Sequence, residues 1–239
     1  VAALLLACAS LHCAAAPTRV ASINLCTDAL LFDLAAPAQI ASVTVLSRDP
    51  ALSMHATRAA TLPVNRGRAE ELLALAPDLV LADAASAPNT IALLRRLGLR
   101  VETFPTATSL ADILAIVRHA GELLGEPQRA ADLAARIAAL DAVPDRTAPS
   151  ALIVQPGGYV PGPETLGPLL LALAGLRDLA PSLGLAQGGF ATVESLILAR
   201  PAYLVRGYDA TGGRSLADDF LTHPALRVAR TRGTGLVPV

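Results

Sequence analysis

"AEELLALAPDLVLA", residues 69–82, reads as a short amphipathic helix, a Pro-Asp corner and an apolar strand. "VESLILARPAYLVRG", residues 193–207, has the same order of parts. Glu70 stands seven positions before Pro77, Glu194 stands seven before Pro201, and the two glutamates are 124 positions apart. A helix–corner–strand unit is common in α/β proteins. The same unit with its glutamate at the same offset, once in each half of a chain, suggests two lobes built alike.

The segments around the first unit alternate strand and helix with short connectors. "RVASINL" (19–25), "IASVTVL" (40–46) and "RVETFP" (100–105) read as strands, while "TDALLFDLAA" (27–36) and "SAPNTIALLRRLG" (86–98) read as helices. Such alternation predicts a mainly parallel sheet. From Ser109 the pattern changes. "SLADILAIVRHAGELLG" (109–125) starts on a serine cap, and "EPQRAADLAARIAALDAV" (126–143) carries Pro127 in its first turn. No strand interrupts them, which suits a rigid helical connector. Strand–helix alternation then resumes with "ALIVQPGGY" (151–159), "ETLGPLLLALAGL" (164–176), the second unit, a helix at "SLADDFLTHPAL" (215–226) and a last strand "GLVPV" (235–239). The expected fold is α/β, two lobes with mainly parallel sheets joined by a long rigid α-helix. The expected divisions are 17–108, 109–145 and 146–239, the last lobe expected to stop short of a closing helix.

The chain has 239 residues, 53 % apolar, with a net charge of −1. That is enough for two cored lobes, and it shows no basic footprint for nucleic acid. All 19 basic residues are arginine, which codon bias explains. Residues 1–16, "VAALLLACASLHCAAA", look like the apolar and small-residue parts of a secretory signal and are too short to span a bilayer. Leu5-Leu6-Ala7-Cys8 offers a weaker, lipoprotein-like reading with the anchor on Cys8. If this segment is removed, Cys26 is left alone. It makes no disulfide framework or metal site and is read as a packing residue.

The segments "RVASINLCTDALL", "NRGRAEELLALAPDLVLA", "LLRRLGLRVETFP", "SLADILAIVRHAGELLG" and "GGFATVESLILARPAYLV" together resemble the helical-backbone class of substrate-binding proteins of ABC importers, which carry cobalamin and ferric siderophores. The resemblance runs from about Arg19 to Leu226. It implies a periplasmic, monomeric carrier without enzymatic activity or resident cofactor, holding a metal chelate in a cleft between its lobes. It also implies that one glutamate on each lobe docks onto arginines of a two-fold permease in the inner membrane. By position these are Glu70 and Glu194. A helix dipole favours the same residues at the same places.

Ligand contacts are expected on loops at the carboxyl ends of the strands. Arg48, Asn65 and Arg66 are the candidates in the first lobe, and Tyr159, Phe190, Arg206 and Tyr208 in the second. The arginines would meet carboxylates or the oxygen shell of a chelated metal; the aromatics would pack on a flat or lipophilic ligand. Tryptophan is absent, and aromatics make up 3 % of the chain. That departs from cobalamin binders of this class, so a ferric siderophore is favoured over a corrinoid. Two further alternatives are a direct metal-ion binder and an enzyme on a related two-lobed fold. Against the first, His12, His55, His119 and His223 share no ligand spacing. Against the second, no Gly-x-Ser-x-Gly elbow, Walker loop or dinucleotide fingerprint is present.

Overall fold

The structure, a computed structural model, describes residues 15–140, 147–185, 187–206, 220, 222–226 and 234–238. Its first sheet contains β1 (Val20–Ser22), β2 (Ile40–Thr44), β3 (Val64–Asn65), β4 (Leu79–Asp83) and β5 (Val101–Phe104), in the order β3-β2-β1-β4-β5. Every pairing in it is parallel. Alternate residues of the central strands serve opposite faces. Val20, Leu79 and Leu81 join Leu31 and Phe32 of α1 (Leu25–Leu34) in one buried cluster. Ala21, Val80 and Ala82 join Leu72 of α3 (Ala69–Leu75) and Leu94 of α4 (Pro88–Arg96) in another. A short helix, α2 (Ala56–Ala59), precedes β3. The near-continuous apolar runs seen in sequence are what a strand covered on both faces requires.

The connector consists of two helices, α5 (Leu110–Leu124) and α6 (Pro127–Ala138). The Ser109 hydroxyl caps α5 through the Asp112 N–H, and the Asp112 carboxylate returns to the Ser109 N–H. Gly125 ends α5 in the left-handed conformation, with the Glu126 N–H bonded to the Gly121 carbonyl. The two helices pack closely: a Cβ on Gly121 would lie 2.1 Å from that of Ala130. Val117, Ala120, Leu124, Ala130 and Ala134 complete the first lobe's core, so the connector is anchored to that lobe over most of its length.

The second lobe has β6 (Ser150–Val154), β8 (Arg177–Asp178), β10 (Tyr203–Arg206) and β11 (Gly235–Pro238), all parallel, in the order β11-β10-β6-β8. β7 (Tyr159–Val160) and β9 (Gly189–Phe190) form a separate antiparallel pair. Leu171 of α7 (Gly167–Leu173) packs with Ala151 and Val205. Leu196 of α8 (Val193–Ala199) packs with Leu152 and Leu204.

The internal repeat survives in three dimensions. Adding 124 carries α3 onto α8 residue for residue, Leu72 onto Leu196 and β4 onto the start of β10. Both helices end at a non-glycine residue with positive φ, Ala76 at 44° and Arg200 at 47°. A buried proline follows each. Proline disfavours right-handed helix at the residue before it, so the helix stops there. The corner is tied to the lobe's first strand in both halves. The Asp78 carboxylate accepts from the Thr18 and Arg19 N–H groups, while the equivalent Ala202 donates its N–H to the Ser150 hydroxyl. Half of the predicted helix at 215–226, residues 215–219 and 221, lies outside the described residues, as do residues 1–14.

Gly121→Ala is expected to push α5 and α6 apart and to lower unfolding free energy by about 1–3 kcal/mol. Chemical denaturation of the two proteins measures the difference.

Candidate functional site

Parallel sheets of this kind place their binding loops at the carboxyl ends of the strands, where strand order reverses. In the first sheet that point lies between β1 and β4. The Asn24 side chain spans it: its oxygen caps α1 through the Cys26 N–H, and its amide donates to the Ser86 hydroxyl. Cys26, expected to be a packing residue, is exposed at the head of α1.

A buried carboxylate fixes the next loop. Asp28 on α1 accepts from the Thr44 N–H, the Thr44 hydroxyl and the Ser47 hydroxyl at 2.7 Å. It is fully buried. Burial raises its carboxyl above the ordinary range, and hydrogen bonds from Ser22, Thr44 and Ser47 oppose that shift. The group clamps the end of β2 and the following turn, Val45–Arg48, onto α1. The loop around that turn exposes Val45, Leu46 and Met54, three apolar side chains that the sequence did not mark as a group.

Two expected ligand contacts are engaged within the lobe itself. Asn65 is only 1 % exposed. Its amide donates to the Ser22 carbonyl, the Ser42 hydroxyl and the Val43 carbonyl, and its oxygen accepts the Gly67 N–H at 2.9 Å. It binds β1, β2 and the loop together. Arg48 is exposed, yet its guanidinium donates to the Ala59 and Leu62 carbonyls. It ties the turn after β2 to the end of α2.

Arg66 is different. Its backbone is held, because the Arg66 N–H donates to the Glu71 carboxylate at 2.6 Å. Its guanidinium is exposed and makes no ion pair or hydrogen bond among the described residues. In the second lobe, Tyr159 and Phe190 face each other across β7 and β9, with ring centroids 5.6 Å apart in an edge-to-face contact. Tyr159 is half-buried, whereas Phe190 is 75 % exposed. Arg206, half-buried at the end of β10, already has an intramolecular partner. Tyr208 lies outside the described residues.

Glu70 and Glu194 both sit in the exposed first turn of their helices. The Glu194 carboxyl is held below its usual value, first by its own backbone N–H and then by the Thr192 hydroxyl, so it stays ionised at neutral pH. Among the described residues no group of three or more His, Cys, Asp or Glu is placed to hold a metal ion. None of their helices is long and apolar enough to cross a membrane.

A family model described as "Periplasmic binding protein" matches residues 20–229. The chain belongs to this family. The periplasmic heme-binding protein RhuT from Roseiflexus sp. RS-1, in apo form, is similar at 26 % identity and a TM-score of 0.72, with 92 % of this chain and 89 % of that one covered. A periplasmic heme-binding protein from Pseudomonas aeruginosa also shares 26 % identity, with a TM-score of 0.64 and 88 % and 79 % covered. A possible iron-binding, periplasmic solute-binding protein from Staphylococcus epidermidis shares the fold at 17 % identity and a TM-score of 0.69, with 93 % and 90 % covered. No curated protein matches the sequence. The family and these relatives are periplasmic binding proteins, and the two-lobed α/β architecture is theirs.

Asp28→Ala removes the acceptor for a buried N–H and two hydroxyls. It is expected to lower unfolding free energy by about 1–3 kcal/mol, read by chemical denaturation, and to raise amide exchange across residues 44–48.

Proposed function

We propose that this chain is the exported solute-binding component of an ABC importer. It captures an iron chelate between its lobes and delivers it to a permease in the inner membrane. The observation that carries this reading is the duplicated unit: the same exposed glutamate, helix, corner and strand in each lobe. A two-fold permease presents one socket twice, and equivalent carboxylates on two lobes match it. Each would form a charge-assisted contact with an arginine. Such contacts favour orientation and association rate more than affinity.

Haem is the favoured cargo. The two relatives at 26 % identity are both heme-binding proteins, over most of either chain. Arg66 supplies an exposed guanidinium for a carboxylate, and Phe190 an exposed apolar ring. A ferric siderophore, which the scarcity of aromatics favoured, is the second reading. A corrinoid is the third.

Titration of the purified chain with haemin, followed by Soret absorption, is expected to give one saturable 1:1 transition. Ferric hydroxamate chelates and cobalamin serve as competitors. A folded chain that binds cobalamin or the hydroxamate and leaves haemin free contradicts the haem assignment. The double variant Glu70→Ala with Glu194→Ala is expected to keep its affinity within about twofold, since both residues are assigned to docking on the permease, and to lose uptake in cells. Unchanged uptake contradicts the docking assignment.

A further inference from the structure

We propose that Leu73 and Leu198 are apolar anchors for the permease, so that each lobe offers its partner a carboxylate with a leucine beside it. This rests on reading Glu70 and Glu194 as docking residues. The partner it fits is a permease face that sets an apolar patch against each socket arginine. On α3 and α8 the buried side is complete without these two leucines. Leu72 and Leu196 fill the cores of their lobes. Leu73 is 42 % exposed and Leu198 81 %, and among the described residues neither joins a buried cluster.

Helical spacing puts each leucine on its glutamate's side of the helix. Leu73 follows Glu70 by three residues and Leu198 follows Glu194 by four. Those two offsets bring side chains within about 5–6 Å on a helix surface. At about 1.5 Å of rise per residue, each leucine lies within or just beyond one turn of its glutamate. The lobes match in patch and not in residue: the shift of 124 carries Leu73 onto half-buried Ile197, and exposed Ala74 onto Leu198. Leu198, the more exposed, carries the larger share. The first turn of α8 is fixed, because the Thr192 hydroxyl accepts the Ser195 N–H and the Ser195 hydroxyl donates to the Thr192 carbonyl. An exposed ion pair is weak because water and salt screen it. An apolar neighbour that excludes water on contact strengthens it. Leu170 of α7 is also exposed, at 57 %, but α7 carries no carboxylate. It covers the opposite face of the second sheet, since it packs on Ala151 and Val205 where α8 packs on Leu152 and Leu204.

The test has two arms, run in cells whose only copy of the chain is the variant. In the first, benzoylphenylalanine replaces Leu198, Leu73 or, as the control, Leu170, and photo-crosslinked products are read by mass spectrometry. Crosslinks to the membrane-spanning subunit of a permease are expected from positions 198 and 73 and not from 170. This arm is independent of the cargo. In the second, Leu198→Ser is expected to lower haemin uptake about fivefold or more, Leu73→Ser to lower it less, and Leu198→Met to keep it. All three are expected to melt as the wild-type chain does and to keep haemin affinity in solution within about twofold, which separates docking from folding and from binding. A crosslink from position 198 only to a second copy of this chain, no crosslink there, or wild-type uptake by Leu198→Ser overturns the anchors, and the docking reading then stands if the Glu70→Ala, Glu194→Ala double variant loses uptake. Unchanged uptake in that double variant overturns both.

Discussion

Parallel pairing is the constraint on which the rest depends. Neighbouring parallel strands cannot be joined by a tight turn, so each connection must travel back across the sheet. Helices fill those crossovers, and the loops leaving the carboxyl ends of the strands gather on one edge. In the first sheet that edge holds Asn24, Ser47, Arg66 and Ser86. In the second lobe the loop leaving β6 leads directly to the Tyr159–Phe190 pair. No local motif places these residues together. The topology does, and buried polar anchors then fix each loop in place. Asp28 and Asn65 are those anchors in the first lobe, both fully satisfied and both out of reach of solvent.

The repeat divides labour between what must be alike and what must differ. The helix, the positive-φ cap, the proline and the leucine in the core are common to both lobes, because they set the position of a strand against its neighbour. The exposed glutamate is common as well, and a two-fold partner would require that. The exposed leucine beside it is free of the core's demands. There the lobes diverge, to Leu73 three residues on and to Leu198 four.

Much of the architecture was legible in the sequence. The helix at 193–199 begins and ends where the pattern places it, since Thr192 caps it and Pro201 forces its exit. The strands at β4 and β5 were legible for a similar reason, as apolar runs bounded by turn residues. The β7–β9 pair was not. Its strands are two residues each, and its glycines look like turns until the cross-strand contact closes. The site was legible only in part. Asn65 and Arg66 are adjacent loop residues of equal promise in sequence, yet one faces inward to three acceptors and the other outward to solvent. Strand pairing decides that difference, because the Asn65 amide meets partners on β1 and β2. Arg48 shows the same limit: an arginine on a loop can be committed to backbone carbonyls within its own lobe.

In the carrier reading, one ligand engages both lobes at once. Hydrogen–deuterium exchange on the chain with and without saturating haemin tests it most directly. Slower exchange is expected in residues 64–68 and in residues 187–192 together, with α5 and α6 unchanged. Protection confined to one of these two loops would contradict it.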